Sequence, residues 1–368
     1  MTSRPPLHRY LIPFCDDSTL IFASRLRRLL QEAGAEVHLV LYQPEAVLSE
    51  RQIRIYLPDL DYSLVTATSL MEIAASDDFD AVLTSRVFRT LNDLLRMPAY
   101  TILPRRAKIV AFLGGLDFFP EKGRANRQYC DAVYLFPRSE LTAFETMLDN
   151  RRNEAERKPL IRFGHPAFLK PATVDPAVAQ ARAATGDIYF FTQAISPSTE
   201  RGRTHMLNVM KAIARANPNR KVWIKLRHLP DENTTHLHRE RHSFPALLAA
   251  SPDNTPPNLL LTDCTMEQAM ENCAVGITCT STAAIDLVRE GIPTIVHLDY
   301  IDYYVDKLVE PMRRLFADSG LIKPLEDLLE LRYSAPDPDW MESIFCERTL
   351  AQDIMSTIDQ MQMDQRSA

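Results

Sequence analysis

Short apolar runs, each followed by a stretch of helical period, recur through almost the whole of this 368-residue chain. That alternation is the feature that most restricts its fold. Apolar strands separated by helices must bury both faces, which demands parallel sheets with right-handed crossovers. The first series reads as strands at Arg9–Phe14, Glu36–Tyr42, Ala81–Thr84, Lys108–Leu113 and Ala132–Phe136, with helices at Thr19–Ala33 and Ser139–Asn150. Ser139 is a favourable helix cap, and Glu140 lies in the first turn, where the helix dipole favours an anion. The charged stretch Asn150–Lys158 interrupts the pattern. A strand from Leu160 then stops at Gly164-His165-Pro166, and Pro171 and Pro176 follow. A second series predicts strands at Ile188–Thr192, Lys221–Leu226, Leu259–Thr262, Val275–Thr278 and Thr294–His297. Helices are predicted at Thr204–Asn217, Met266–Asn272 and Thr282–Glu290, with a largely helical end from Glu326 to Gln362. The expected architecture is α/β: two doubly wound, Rossmann-like domains, residues 1–170 and 171–368. At roughly 150 residues per domain the length agrees. Ligands of such sheets bind at the carboxyl ends of the strands, so a cleft between the domains is the expected site.

Composition narrows the functional class. Hydrophobic residues are 46% and charged residues 24%, which excludes a disordered chain. The net charge of -6 argues against a nucleic-acid partner. Cys15, Cys130, Cys264, Cys273, Cys279 and Cys346 contain no C-x-x-C pair, so they read as reduced, buried thiols of a cytoplasmic protein rather than as a zinc site. No targeting segment is expected, because Met1–Pro6 is polar, and no apolar run of about 18 residues predicts a membrane span. The predicted helix Thr19–Ala33 gathers Phe22, Leu26, Leu29, Leu30 and Ala33 on one face and Arg25, Arg27 and Arg28 on the others. Packing against a sheet is the favoured reading of that face, and peripheral association with an anionic membrane is the alternative.

The densest chemical signal runs from Gly276 to Val296. A strand ends in Thr280, Ser281 and Thr282, a helix opens with Ala283 and Ala284, and Gly291 and Pro293 stop it. Backbone N–H groups at a helix start attract phosphate, the hydroxyls add donors, and the alanines admit a ligand closely. One hydroxyl is needed for capping; three exceed that need. Lys225, Arg227 and His228 end another strand, where fixed cations and an imidazole can neutralise a nucleotide phosphate. The loop Gln193–Arg203 follows the first strand of the second domain, and Gln193 and Ser196 can bond a donor sugar, with Arg201 or Arg203 near charge. In the first domain Gly114-Gly115 directly follows a strand in a chain with only 10 glycines. Asp117 stands there beside Phe118 and Phe119, and an apolar setting suits a carboxylate to general-base work. Asp16, at the end of the first strand, is the second candidate base. His236, His238 and His242 have the spacing of a metal site, but Arg239 and Arg241 oppose one, and a solvated loop is expected. Leu298–Tyr304 is aromatic and acidic, suited either to stacking on a ring or to packing.

The strand–Thr280-Ser281-Thr282–helix–Glu290-Gly291-Ile292-Pro293 arrangement resembles the C-terminal domain of GT-B glycosyltransferases and of the NDP-sugar 2-epimerases that share their fold. Phe163-Gly164-His165-Pro166 resembles the last strand of their N-terminal domain. A narrower resemblance is to bacterial sialyltransferases. Ser281-Thr282 matches their serine-threonine pair. His228-Leu229-Pro230 approximates their His-Pro pair with one residue added. Asp16-Asp17-Ser18 carries Ser where the acidic motif has Gly, and Gly115-Leu116-Asp117 reverses that order. The resemblance implies an inverting glycosyltransferase with no cofactor and no metal. Its donor would be a CMP-linked nonulosonate or a UDP-sugar, held on Thr280, Ser281 and Thr282 with help from Lys225, Arg227 and His228. Asp117 or Asp16 would take the proton of a glycan acceptor, by resemblance a bacterial capsule or lipopolysaccharide, at the inner face of the membrane. The rival readings are a 2-epimerase of the same fold and a silent scaffold of polysaccharide assembly.

Overall fold

The computed structural model describes residues 8–103, 105–113, 120–150, 158–172, 176–229, 231–232, 239–251 and 254–367. The chain forms two compact units, Met1–Leu169 with Ser343–Ala368, and Lys170–Glu342.

The first unit is built on seven strands: β1 (Arg9–Phe14), β2 (Glu36–Tyr42), β3 (Ser63–Val65), β4 (Ala81–Thr84), β5 (Lys108–Phe112), β6 (Ala132–Leu135) and β7 (Leu160–Phe163). Every pairing is parallel, in the order β3-β2-β1-β4-β5-β6-β7. The strand order reverses between β1 and β4. Central strands β4, β5 and β6 are buried along their whole length, as their unbroken apolar character requires.

The helix Asp17–Glu32 buries Leu20, Phe22, Ala23, Leu26 and Leu30. These side chains belong to the core around Ile12, Phe14, Leu39 and Phe112. Its apolar face is therefore packed in the core, as the favoured reading of this helix expects. On the outer side Arg27 pairs with Asp61 at 2.5 Å. At the amino ends of the strands, Arg106 and Asp131 form a fully buried two-point ion pair with both contacts at 2.7 Å.

The chain returns to this unit at its end, which corrects the expected limits of the second domain. The helix Leu350–Ser367 sets Leu350, Ala351, Ile354, Ile358 and Met361 into the first unit's core. Tyr134 on β6 donates its hydroxyl to Asp353 at 2.8 Å and to Thr357 at 3.2 Å. Gly164 has a φ of 153°, and a Cβ there would meet Leu350 Cδ1 at 2.7 Å, so glycine is what lets β7 end against this helix.

The second unit holds β8 (Asp187–Phe191), β9 (Val222–Lys225), β10 (Leu259–Thr262), β11 (Cys273–Thr278) and β12 (Thr294–Val296), all parallel, in the order β10-β9-β8-β11-β12. Here the order reverses between β8 and β11. The strands of both sheets lie close to their expected places. The sequence reading missed the helices Glu50–Tyr56 and Ala67–Ala75, although Ser49 and Thr66 each begin a reciprocal capping box. It also missed β3, an edge strand of 3 residues, too short to show a period.

Candidate functional site

The carboxyl ends of β8 and β11 flank the second unit's switch point, the place where an open α/β sheet offers a crevice. Thr278 closes β11 by donating its hydroxyl to the Phe191 carbonyl of β8 at 3.2 Å. Beyond it the chain turns through Cys279, Thr280, Ser281 and Thr282 into the helix Ala283–Arg289. Gly276 permits this arrangement, because a Cβ there would run into the Leu287 side chain of that helix.

The three hydroxyl residues have different fates. Thr280 is 1% exposed, and its Oγ1 has no hydrogen-bond partner. Ser281 and Thr282 are half-buried. Ser281 Oγ accepts from the Ala283 N–H at 3.2 Å, and the Thr282 carbonyl accepts from the Ile285 N–H at 2.9 Å. Thr282 stands at the capping position without a side-chain bond. The helix has only 7 residues, and amides of its first turn are engaged within the chain. The expectation that backbone N–H groups at this helix start are free for phosphate is corrected accordingly, since the Ala283, Ala284 and Ile285 amides donate within the turn; what the turn offers is hydroxyl groups. Buried hydroxyls are almost always bonded, so the idle Thr280 donor is the unusual feature of the turn.

On the other side of β8, β9 ends at Lys225. The residue is half-buried, its ammonium donates to the Leu226 carbonyl at 3.1 Å, and burial pushes its pKa below the ordinary lysine value, with Arg227 acting in the same direction. Arg227 is half-buried and His228 is 3% exposed. The unit thus places Lys225, Arg227 and His228 at and just after the end of β9, on one side of β8, while Thr280 follows the end of β11 on its opposite side. Pro230 lies outside the described residues.

The loop after β8 differs from its expected role. Gln193 is buried, and its Oε1 accepts from the Ile195 N–H at 2.9 Å. Ser196 is 1% exposed and donates to Asp306 Oδ2 at 2.7 Å. A hydroxyl so placed holds the loop and is not presented to a donor sugar. Arg203 is buried as well: its guanidinium donates to the carbonyls of Pro197 and Gln193, both at 2.9 Å, and pairs with Glu240. Arg201 is exposed, 3.6 Å from Asp302.

In the first unit Asp16 caps the helix Asp17–Glu32. Its Oδ1 accepts from the Thr19 N–H at 2.9 Å, and its Oδ2 accepts from Arg86 at 2.8 Å. Arg86 also reaches Glu45 at 3.1 Å. Both Asp16 oxygens are engaged, so this carboxylate is built to position neighbours and is poorly placed to accept a substrate proton. Sequence reasoning missed Arg86; its signal was an arginine two residues after the end of the apolar strand β4. Asp117 lies outside the described residues, as do Gly114 and Gly115. In the Phe163–Pro166 segment, His165 packs on Phe168 with ring centres 4.7 Å apart, and its Nδ1 accepts from the Ala167 N–H at 3.2 Å. Burial pushes its pKa down to about 3.

His236 and His238 fall outside the described residues, and His242 stands 3.6 Å from Glu200. Among the described residues no group of three or more His, Cys, Asp or Glu is arranged to hold a metal ion. Acidic pairs separated by one residue occur at Asp59 and Asp61, Asp78 and Asp80, and Asp337 and Asp339. Asp61 pairs with Arg27, Asp80 accepts from the Arg9 N–H at 2.8 Å, and Asp337 accepts from the Trp340 N–H at 3.1 Å. No helix of the described residues is long and apolar enough to cross a membrane.

Residues 15–361 match the protein family described as "Putative glycosyltransferase (DUF6716)". Among solved structures, the UDP-GlcNAc 2-epimerase of Methanocaldococcus jannaschii superposes with a TM-score of 0.58 at 10% identity, covering 96% of this chain and 100% of that one. MurG of Acinetobacter baumannii gives 0.52 at 11% identity, with 96% and 100% covered. Anabaena HepE, solved in complex with UDP and glucose, gives 0.51 at 11% identity, with 97% and 98% covered. The two α/β units, with their sheets of seven and five parallel strands, are those of the GT-B fold. No curated protein matches the chain by sequence.

Proposed function

Since this chain belongs to the family described as "Putative glycosyltransferase (DUF6716)", we propose that it moves a sugar from a nucleotide-sugar donor to a glycan acceptor. The observation that carries the proposal is the buried Thr280 hydroxyl at the second switch point, a donor without an acceptor where the fold binds ligands. A phosphate oxygen of the donor satisfies it, and the half-buried Ser281 and Thr282 hydroxyls border the same turn. Lys225 and Arg227 supply positive charge at the end of β9, with β8 between it and the turn, and His228 beside them offers an imidazole; together they stabilise the departing nucleotide as the anomeric bond breaks. In an inverting transfer the acceptor hydroxyl loses its proton while attacking the anomeric carbon. We assign that proton to Asp117, because Asp16 already has both oxygens bonded. The fold relatives that carry or act on UDP compounds favour a UDP-sugar over the CMP-nonulosonate of the sialyltransferase reading. A bacterial surface glycan at the inner membrane face is the acceptor class retained.

A thermal-shift screen with UDP, CMP, GDP and CDP tests this directly. Ligand at a hundredfold excess over Kd adds about 2.7 kcal/mol to stability. UDP is expected to raise the melting temperature of the wild-type protein, and Thr280→Val to weaken that response about tenfold. A response to CMP alone restores the sialyltransferase reading. No response to any nucleotide favours the scaffold. Conversion of a UDP-sugar to its 2-epimer without acceptor and without release of UDP identifies an epimerase.

A further inference from the structure

The loop after β8 and the segment after β12 emerge from strands that lie on either side of β11. They are joined by a buried polar bridge. Ser196 and Tyr300 both donate hydroxyl hydrogens to Asp306 Oδ2 at 2.7 Å, and their own oxygens lie 3.1 Å apart. Asp306 Oδ1 accepts from the Leu308 N–H at 3.0 Å. Ser196 and Tyr300 are 1% exposed and Asp306 is 5% exposed. A second tie runs beside the first: Thr199 donates to Asp302 at 3.1 Å. Gly202 lets the backbone close there, since a Cβ would come within 2.8 Å of the Ile301 carbonyl. Arg203 grips the same loop from its carbonyl side, through Gln193, Ala194 and Pro197. Cys279, at the end of β11 between the two loops, has Asp306 and Arg203 as its charged neighbours.

Apolar packing of the same volume would hold two loops together at no desolvation cost, and replacing a buried ionic cluster by hydrophobic side chains is often neutral or stabilising. What a hydrogen-bonded bridge adds is a single register, because its donors and acceptors satisfy one another in only one arrangement. Its place is the switch point. We infer that Asp306, Tyr300 and Ser196 are positioning residues of the donor site: they fix the loop 193–199 against the turn at Thr280 and Ser281 without touching the ligand themselves. This inference rests on the reading that a nucleotide-sugar binds at that turn.

Hydrogen exchange of the full chain, without nucleotide and with saturating UDP, separates the inference from the reading, with UDP affinity measured by calorimetry and unfolding followed in parallel. The variants are Tyr300→Phe, Ser196→Ala and the double mutant. Tyr300→Phe keeps the ring and removes one donor, so the fold is retained. Expected are exchange about tenfold faster in residues 193–199 and 298–308, UDP affinity about tenfold lower, and a melting temperature within a few degrees of wild type. Asp306→Asn, which keeps an acceptor, should recover much of what Asp306→Ala loses. Unchanged exchange and affinity in Tyr300→Phe and Ser196→Ala overturn the inference while the reading stands. A uniform rise in exchange across the second unit, matched by lower stability, reduces the bridge to ordinary packing and also overturns it. A wild-type protein that no nucleotide protects fails the reading, and this inference with it.

Discussion

Asp16 and Arg86, 70 residues apart in sequence, meet across the switch point of the first sheet, carboxylate to guanidinium at 2.8 Å. One oxygen of Asp16 caps a helix and the other holds an arginine whose free side is still part-exposed and shared with Glu45. The pair makes a candidate base of the sequence into a structural tie between the ends of β1 and β4.

That assignment separates two carboxylates by experiment. Asp16→Ala removes a cap and leaves Arg86 short of a partner, and should cost about 1–3 kcal/mol in denaturant unfolding. Asp16→Asn keeps an acceptor for the Thr19 N–H and should cost less. In the proposed transfer, Asp16→Asn keeps kcat within about tenfold, whereas Asp117→Asn lowers it by about 10²–10⁴. The opposite ranking in a sugar-release assay would exchange their roles.

Thr280 offers a change of opposite sign in stability and in binding. Its hydroxyl is buried without a partner, so Thr280→Val removes a desolvated polar group from the free protein and should raise stability by about 1 kcal/mol. The same substitution weakens nucleotide binding. A variant that is both less stable and normal in nucleotide affinity contradicts the proposed contact.

His165 makes the first unit sensitive to acid. Its pKa falls from 6.5 to about 3 on folding because burial disfavours the imidazolium. Between these values the unfolded chain binds the extra proton, so stability is full above about pH 6.5 and declines as the pH drops toward 3, by up to about 1.4 kcal/mol per pH unit. His165→Phe retains the contacts with Phe136 and Phe168 and removes the titration. Urea melts at pH 6.5 and 4.5 should show a shallower pH slope in that variant, and equal slopes would place the proton elsewhere.

A chain ending at Glu342 should not keep its first unit folded. Leu350, Ile354, Ile358 and Met361 contribute about 1.5–3 kcal/mol each by burial, a sum comparable to the 5–15 kcal/mol of a whole domain. Limited proteolysis of the truncated protein should cut within residues 1–169 at rates well above those of the intact chain. Protection equal to the intact chain would mean that the returning helix is dispensable.

Apart from the short edge strand β3, the strands of both sheets were legible in the sequence because each is a largely apolar run, a pattern that needs no partner to be recognised: β1, β4 and β10 end where their residues turn polar. The turn after β11 stood out in the sequence for a similar reason, since a run of hydroxyls after a strand is a local signal. The sequence could not tell which of these polar groups had partners. Ser196 and Gln193 look like ligand donors in one dimension, yet Ser196 is consumed by Asp306, 110 residues on, and Gln193 turns back on its own loop. Thr280 looks no different from Ser281, yet only its hydroxyl is buried and idle. The last helix has an apolar face in sequence, but nothing local names the core it will join. Apolar periodicity is a property of neighbouring residues, so the chain alone determined the elements and their class. Satisfaction of a polar group and the choice of a packing partner are properties of residues brought together by folding, and only the tertiary structure decided them.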